Sequence, residues 1–378
     1  MKIAGIICEY NPFHTGHAAH IAATRSQIGT CGAVICVMSP NFVQRGEIAI
    51  LPKHIRAEAA LRGGADLVIE LPTEFATAGA ERFARAGVEL LAALNLPVTL
   101  SFASECGDVQ ALEAVAEALS SEAVNAAISL ELKAGVSYAR ARERAVRAIL
   151  GEGAGVLREP NNILGIEYIK AIKRLNLSDF EPFTVQRFGV SHDGGEGGGY
   201  ASASRIREIL RGGGSAEEYL PCPISSPVSD PSRLEAAFLY RFRTMTDDEF
   251  EALPDSGEGL WRRFRDCART GNSVQDVIEA VKTKRYAHAR IRRLALHSLL
   301  GITAEMQAKS PAYLRVLGFT KRGAEVLHEA KKSAALPIIT KPADYKSALA
   351  FEARCTDIFR LALDSAAGSE WTTNPILI

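Results

Sequence analysis

The sequence has 378 residues and carries 44 Lys and Arg against 44 Asp and Glu, so its formal net charge at pH 7 is zero. This balance excludes a chain that binds polyanions over its whole surface, and any nucleic-acid surface must be a local patch. Hydrophobic residues make up 47% of the chain and charged residues 23%, which predicts large packed cores, two or three domains and little disorder.

The seven cysteines predict reduced thiols, because their number is odd and no pair has CxxC spacing. The first residues, MKIAGIICEYNPFH, turn polar too soon for a signal peptide, and no apolar run reaches the roughly 18–20 residues of a membrane span. The histidines lack the spacing of metal ligands, so no transition metal is expected. These features predict a cytoplasmic protein that does not contact a membrane.

The first hundred residues alternate between short apolar runs and segments of helical spacing. Such alternation is typical of α/β folds, and it predicts a doubly wound parallel sheet. The predicted strands are residues 2–8, 33–38, 66–70 and 98–102. The predicted helices are residues 17–25, 53–63 and 78–94.

The next hundred residues predict additions to this sheet. Residues 109–150 are rich in Ala, Glu and Arg and predict a helical insertion of two or three helices. A helix at residues 162–175, a strand at 183–188 and a helix at 202–210 follow. Six glycines in residues 189–199 mark that loop as a candidate lid.

Composition changes near residue 220. Four prolines in residues 221–231 predict a linker, and helical spacing prevails after it. We therefore predict a catalytic domain at residues 1–220 and a basic, mostly helical domain at residues 221–378.

The loop EYNPFHTGH, residues 9–17, lies between the first predicted strand and its helix. Parallel α/β sheets bind ligands outside the carboxyl ends of their strands, and helix N-termini offer N–H groups to phosphates. Gly16 lets the backbone approach a ligand, and His14 and His17 share one helical face. Two imidazoles there can donate hydrogen bonds to a triphosphate and stabilise the leaving pyrophosphate. By spacing alone, two histidines without a ligand fit equally well.

A second motif, SASRIR, opens the helix predicted at residues 202–210. Serine is a good N-cap, and hydroxyls, N–H groups and an arginine can together meet the β- and γ-phosphates. An ordinary capped helix with a solvated arginine is the alternative for this motif taken alone.

HTGH and SASRIR resemble, in the expected order, the two signatures of the HxGH nucleotidyltransferase superfamily, whose fold is Rossmann-like. The resemblance is closer to one family, the bacterial tRNA(Met) cytidine acetate ligases, and it covers nearly the whole chain. The blocks that carry it are GIICEYNPFHTGH, SPNFVQRGE, DLVIELP, SFASE, EPNNILGIEYIKAI, SASRIR, KRYAHARIRR and YLRVLGF.

This resemblance implies a two-step reaction with ATP as co-substrate and Mg²⁺ accompanying it. Acetate attacks the α-phosphate of ATP and gives acetyl-adenylate and pyrophosphate. The exocyclic amine of the wobble cytidine of elongator tRNA(Met) then takes the acetyl group, which gives N4-acetylcytidine and AMP. No step requires a protein nucleophile, so catalysis would depend on positioning and charge stabilisation.

The resemblance also implies the residues that bind ATP, with His14 and His17 as the catalytic pair. The other predicted contacts in the first loop and helix are Ile7, Cys8, Glu9, Tyr10, Asn11, Pro12, Phe13, Thr15, Gly16 and His20. The later ones are Ala103, Asn162, Arg187, Ser202, Ser204 and Arg207. Asn161 is the alternative to Asn162, and a solvated surface arginine is the alternative for Arg187.

Two positions depart from the family pattern. Ala103 stands where the family's FGSE block has glycine, and the added methyl group crowds a close backbone approach. Pro40 also replaces a glycine, and it removes an N–H group. Asn41, Gln44 and Arg45 follow it as second-rank site candidates, for which a polar loop is the alternative.

A basic run near the C-terminal end predicts the RNA contacts. Basic side chains meet phosphates, and the interleaved Tyr286 can stack on an unpaired base. The run holds no acid while the chain is otherwise neutral, which favours RNA over a solvated helix face. The six predicted tRNA contacts are Lys282, Lys284, Arg285, Arg290, Arg292 and Arg293.

Two other functions remain open from the sequence. One is a nucleotidyltransferase that acts on a small phosphorylated metabolite, and the other is a non-catalytic RNA-binding protein on the same scaffold. The basic helical half argues against the first alternative, and the two intact motifs argue against the second. Salt-dependent binding of tRNA distinguishes the ligase from the metabolite enzyme.

Overall fold

This computed structural model describes residues 1–187, 196–197, 200–224, 226–363 and 365–378. Its strands are β1 (Ile3–Cys8), β2 (Ala33–Met38), β3 (Phe42–Val43), β4 (Glu47–Ile48), β5 (Leu67–Glu70), β6 (Val98–Ser104), β7 (Phe180–Gln186), β8 (Glu196–Gly197), β9 (Tyr200–Ala201), β10 (Leu314–Phe319), β11 (Ile338–Ile339) and β12 (Ile376–Leu377).

Its α-helices are α1 (Thr15–Ile28), α2 (Lys53–Arg62), α3 (Thr73–Ala76), α4 (Ala80–Ala92), α5 (Val109–Ser120), α6 (Glu122–Lys133), α7 (Tyr138–Leu150), α8 (Pro160–Arg174), α9 (Ala203–Arg211), α10 (Glu235–Thr244), α11 (Asp247–Glu251), α12 (Leu260–Thr270), α13 (Val274–Val281), α14 (His288–Leu300), α15 (Ala304–Ala308), α16 (Lys321–Ala330), α17 (Ala350–Leu361) and α18 (Ser369–Thr372). Short 3-10 helices cover Gly151–Arg158, Glu217–Tyr219, Pro231–Leu234 and Pro342–Tyr345.

The central sheet has the order β11-β10-β5-β2-β1-β6-β7, and β12 pairs with β10. The five strands from β5 to β7 are parallel neighbours, which confirms the predicted parallel sheet. The chain leaves β1 for β2 on one side and later reaches β6 on the other, so the strand order reverses between β1 and β6. Ligands of such sheets bind at this switch point, beyond the carboxyl ends of the strands.

Helices cover both faces of the sheet, which explains why every residue of β2 is buried. In β1, Ile3 and Ile7 face the core shared with α4 and α8, while Ala4 and Ile6 face the core shared with α1 and α2. The period-2 alternation of a strand therefore supplies two cores from one run of apolar residues. The predicted strands and helices of residues 1–187 are present, with ends shifted by up to three residues.

The predicted insertion at residues 109–150 forms the three helices α5, α6 and α7. Asp108 caps α5 by accepting the N–H groups of Gln110 and Ala111, and Ser121 caps α6. Apolar residues of these helices, among them Leu112 and Val146, join the core on the α8 side of the sheet.

The chain after the linker is mostly helical, as predicted, but it does not stay apart from the sheet. Helices α10 to α14 enclose a core of their own, which includes Phe242 and Phe264. Strand β10 then runs antiparallel to β5, and β11 and β12 pair with β10. The sequence analysis did not predict these three strands. The domain division near residue 220 stays a prediction, but β10, β11 and β12 belong to the central sheet and not to a separate helical domain.

The predicted glycine-rich lid at residues 189–199 lies outside the described residues except for residues 196–197. Among the described residues, no helix has both the length and the apolar character needed to cross a membrane.

Candidate active site

The loop between β1 and α1 folds back over the first turn of the helix. His14 is the N-cap of α1, and its Nδ1 accepts the N–H of Gly16 at 3.1 Å. His17 Nδ1 accepts the N–H of His14 at 3.3 Å, and the two rings stack with centroids 3.7 Å apart. His14 and His17 therefore share one face, as predicted. A methyl group at Gly16 would lie 2.9 Å from Cε1 of His14, so glycine is needed for this packing.

These hydrogen bonds fix the chemical form of both imidazoles. Because each Nδ1 accepts an N–H, a neutral ring must carry its proton on Nε2. Burial, followed by the charges of Arg187 and Arg207, lowers the pKa of His14 to about 4. Burial and the neighbouring histidines hold the pKa of His17 well below its ordinary value. Near neutral pH the pair therefore offers two Nε2–H donors without positive charge.

A buried arginine, Arg56, binds the backbone at the start of this loop from the interior of the protein. Arg56 is fully buried, and its guanidinium donates to the carbonyl oxygens of Glu9 at 2.6 Å, Ser39 at 3.1 Å and Leu51 at 3.0 Å, and to that of Pro40. Burial lowers its pKa to about 10, so it stays a cation at neutral pH. One side chain thus fixes the backbone beyond both β1 and β2.

Several predicted ATP contacts turn their side chains into the protein instead. Ile7, Tyr10 and Phe13 are buried, and the Tyr10 hydroxyl lies 3.4 Å from Cys36 Sγ. Cys8 ends β1, Thr15 begins α1, and Pro12 follows a cis peptide bond. The buried side chains of Ile7, Tyr10 and Phe13 pack into the protein and shape the loop, and the ATP contacts predicted at these residues stay a prediction.

Helix α9 brings the second motif to the first. Ser202 Oγ accepts the N–H of Arg205 at 3.2 Å, which confirms the predicted N-cap. Arg207 donates from Nη1 to the carbonyl oxygen of Asn11 at 2.9 Å and from Nη2 to Ser204 Oγ at 3.2 Å. Arg207 therefore lies against the loop of His14.

The other side of the switch point is built around Glu105, which the sequence analysis did not single out. Its carboxylate accepts the side-chain amide of Asn161 at 2.6 Å and the backbone N–H of Asn162 at 2.9 Å. Asn162 Oδ1 in turn accepts the N–H groups of Glu105 and Cys106, so this buried side chain supports the loop after β6. Arg187 lies 3.9 Å from Glu105 and remains partly exposed.

Two further predicted contacts lie beside this loop. His20 Nε2 is 3.0 Å from Ser101 Oγ on β6, and burial lowers its pKa to about 4. Ala103 is half-buried on β6, opposite Val185 of β7.

Of the three second-rank candidates, Asn41 and Gln44 support the fold and Arg45 is on the surface. Asn41 is buried, accepts the N–H of Lys53 at 2.9 Å and donates to Thr356 at 3.2 Å, so its side chain supports the fold. The N–H of Gln44 binds Glu9 Oε1 at 2.6 Å, which fixes the β3–β4 hairpin to the loop. Arg45 is exposed.

The basic run is paired with acids from elsewhere in the chain, which overturns the argument that its charge is unbalanced. Arg292 pairs with Glu47 at 2.7 Å and Arg293 with Asp255 at 3.0 Å. Arg290 and Arg285 lie 3.3 and 3.7 Å from Glu258.

Other members of the run also differ from expectation. Tyr286 is buried, with its hydroxyl bonded to the carbonyl oxygen of Glu258, so it is not a free stacking surface. Lys282 donates to the carbonyl oxygen of Tyr286 at 2.9 Å. Lys284 is exposed and has no ion pair among the described residues.

Sequence reasoning also missed a buried ionic cluster behind the site. Lys53 Nζ lies 2.6 Å from Glu70 and 2.7 Å from Glu370, and Arg315 lies 3.4 Å from Glu370. All four side chains are almost completely buried. The sequence signal for this cluster was one charged residue in each of two apolar strands: Glu70 ends LVIE, and Arg315 lies inside LRVLGF.

A family model described as "HIGH Nucleotidyl Transferase" matches residues 1–373. The tRNA(Met) cytidine acetate ligase of Thermoanaerobacter sp. is 38% identical and covers 97% of both chains. That of Clostridium perfringens is 35% identical over 100% of both.

Solved structures are similar over the full length. The apo crystal structure of Thermotoga maritima TmcAL has a TM-score of 0.91 and 33% identity, and covers 100% of both chains. The TmcAL structure bound with alpha-thio ATP has a TM-score of 0.89 and 32% identity, again over 100% of both chains.

Proposed function

Because this chain belongs to the tRNA(Met) cytidine acetate ligase family of HIGH nucleotidyltransferases, we propose that it activates acetate with ATP and transfers the acetyl group to the wobble cytidine of elongator tRNA(Met). The observation that carries the proposal is the meeting of four groups at the switch point of the sheet. The Nε2–H groups of His14 and His17 and the guanidinium groups of Arg187 and Arg207 provide two neutral donors and two permanent cations.

This arrangement suits adenylation. An acetate oxygen attacks the α-phosphorus, the bond to pyrophosphate breaks, and negative charge moves onto the leaving group. The N-terminus of α1 and the two Nε2–H groups donate to phosphate oxygens, while Arg187 and Arg207 balance the charge. The neutral histidines add no positive charge that would hold pyrophosphate too strongly after the bond breaks. In the second step the cytidine amine attacks the acetyl carbonyl carbon, AMP leaves, and the nitrogen loses a proton.

ATP is proposed as the nucleotide because the similar TmcAL structure carries an ATP analogue. We propose that Mg²⁺ accompanies it. Among the described residues, no group of three or more His, Cys, Asp or Glu side chains is placed to hold a metal ion. Phosphate oxygens and water would therefore provide most of the Mg²⁺ shell, and no step above depends on a protein ligand to it.

The function is tested by acetate-dependent exchange of labelled pyrophosphate into ATP, followed by nucleoside analysis of tRNA incubated with the protein. Exchange that needs acetate, together with N4-acetylcytidine in the tRNA, is the expected result. Absence of exchange with acetate would reject the substrate and leave a nucleotidyltransferase for a different acid or a phosphorylated metabolite.

The exchange rate should be insensitive to the ionisation of His14 and His17 between about pH 6 and 8. In the folded chain the pKa of His14 is about 4, whereas an unfolded histidine titrates near 6.5. Acid therefore destabilises the fold between these values, because the unfolded chain takes up the proton first. A pH profile that loses activity as pH rises through about 6.5 would instead show that an imidazolium is required.

The basic run is proposed to hold tRNA, and Lys284 is its sharpest test because it is exposed and needs no acid to be displaced. Lys284→Ala should weaken tRNA binding, reduce the log–log salt slope by about one, and leave pyrophosphate exchange unchanged. Lys309→Ala is the matched control, since Lys309 is also exposed but pairs with Glu305 elsewhere on the surface. Equal tRNA affinity for both variants would place the RNA surface outside this run.

A further inference from the structure

The β3–β4 hairpin lies between α14 and the loop at residues 9–17, which we call the nucleotide loop, and one carboxylate on the hairpin contacts both sides. Glu47 Oε1 is 2.7 Å from Arg292 Nη1, and Glu47 Oε2 is 3.6 Å from Arg207 Nη2. Arg207 is a phosphate residue of the proposed reaction, and Arg292 is one of the proposed tRNA contacts. The Glu47 carboxylate therefore contacts one arginine proposed for adenylation, Arg207, and one proposed for tRNA binding, Arg292.

The hairpin holds Glu47 at a fixed distance from both arginines. On the nucleotide side, Glu9 binds the N–H of Gln44, and Asn11 Oδ1 accepts the N–H of Ile50 at 2.7 Å. On the RNA side, Gly46 has a φ of +75°, and a Cβ there would lie 2.5 Å from the carbonyl carbon of Arg292. The backbone of α14 therefore packs directly against the turn that carries Glu47.

The contacts of Arg207 show what the carboxylate does. Arg207 Nη1 is bound to the carbonyl oxygen of Asn11, whereas Nη2 has Ser204 Oγ at 3.2 Å and Glu47. The side chain of Arg207 is only 13% exposed, so it has little freedom to find another partner. Glu47 therefore holds Nη2 of the Arg207 guanidinium beside the nucleotide loop before a phosphate binds.

Arg292 is in a different situation, because its side chain is 36% exposed and Glu47 is its partner. An RNA phosphate must compete with that carboxylate for the guanidinium. The same charge that positions Arg207 therefore weakens the hold of Arg292 on RNA.

We propose that Glu47 is a positioning residue with two opposed effects: it aims Arg207 at the leaving phosphates, and it restrains Arg292 at the rim of the nucleotide site. This inference rests on the proposed function, because it assigns the two arginines to ATP and tRNA. It also places Arg292 next to the adenylation centre, which is where a tRNA phosphate near the acceptor cytidine has to lie.

Glu47→Gln tests the inference because it keeps the size of the side chain and removes its charge. Acetate-dependent pyrophosphate exchange should fall roughly threefold to tenfold, the effect of losing one charge-assisted contact. Binding of tRNA should become tighter, with a log–log salt slope steeper by about one, because Arg292 is freed for a phosphate. A merely structural role for Glu47 would lower both quantities together.

Two controls separate the two effects. Asp255→Asn removes the carboxylate that pairs with Arg293, the next residue of α14, and asparagine tolerates the positive φ of 55° at this position. Because the Arg293 side chain is only 13% exposed, this variant should gain less tRNA affinity than Glu47→Gln, and it should not slow exchange. Adding Arg292→Ala to Glu47→Gln should remove the gain in tRNA affinity and leave exchange slow.

Unchanged exchange in Glu47→Gln, or tRNA binding that is unchanged or weaker, would overturn the inference. The tRNA titration uses no acetate, so it gives its answer even if the wild-type protein fails to exchange pyrophosphate. Failure of exchange in the wild-type protein would reject the proposed acetate chemistry, whereas failure confined to the variant's tRNA titration would reject the role of Glu47.

Discussion

His17→Ala is expected to lower the rate of adenylate formation by about 100-fold or more. The substitution removes one of the two Nε2–H donors that the proposed reaction assigns to the leaving phosphates, in a site where burial strengthens each hydrogen bond. Pyrophosphate exchange measures the effect, with the circular dichroism spectrum as a check of folding. His328→Ala is the matched control, because His328 is exposed on α16, and it should exchange like the wild-type protein.

A second substitution separates catalysis from capping at the same position. His17 Nδ1 accepts the N–H of His14, so alanine also removes a cap of α1. His17→Asn places an amide oxygen near the position of Nδ1 but leaves no donor where Nε2–H lies. It should keep the stability of the wild-type protein and exchange as slowly as His17→Ala. Full activity in the folded asparagine variant would show that the Nε2–H group is not used.

Lys53→Met should reduce the free energy of unfolding by about 3–5 kcal/mol, because it leaves Glu70 and Glu370 buried without their shared cation. Burial opposes ionisation of both carboxylates, and Lys53 together with Arg315 counteracts this effect. Chemical denaturation measures the loss. Lys309→Met, which breaks an exposed pair with Glu305, should leave the free energy of unfolding almost unchanged. Similar values for the two variants would contradict a structural role for the buried cluster.

The same cluster makes stability depend on acid. Burial alone would raise the pKa of Glu370, but Lys53 and Arg315 lower it to about 2. An unfolded glutamate titrates near 4.3, so the unfolded chain takes up this proton first as pH falls. The contribution of Glu370 is complete above that value and is lost progressively towards pH 2. In Lys53→Met the folded-state pKa of Glu370 should rise, since a cation that lowers it is gone, so this loss of stability in acid should become smaller.

Local signals predicted the central part of the site. An apolar strand, a polar loop with glycine and a helix start define β1, the nucleotide loop and α1 within 28 residues of chain, and the phase of a helix places His14 and His17 together. The N-cap at Ser202 follows from a preference that needs no tertiary context.

The remaining features depend on residues that are distant in sequence. Glu47 is 245 residues from Arg292, and Asp255 is 38 from Arg293, so the acidic partners could not be seen beside the basic run. The inward orientation of Tyr10 and Phe13 depends on α2 packing beneath the loop, since a methyl group at Gly63 would meet the Phe13 ring. Asn162 and Asn161 differ by one position on a helix, and only the docking of α8 against the Glu105 loop decides which is buried.

The antiparallel pairing of β10 with β5 has a consequence for synthesis of the chain on a ribosome. Thr73, which begins α3 shortly after β5, is hydrogen-bonded to Glu352, 279 residues later, so this side of the sheet is completed only when nearly the whole chain has emerged. Until then β5 is an open edge able to pair with a strand of another chain, and Glu70 lacks Arg315. A chain terminated at the linker would retain that edge permanently. The sheet formed by the first half of the sequence therefore depends on the last quarter of the sequence to cover its β5 edge.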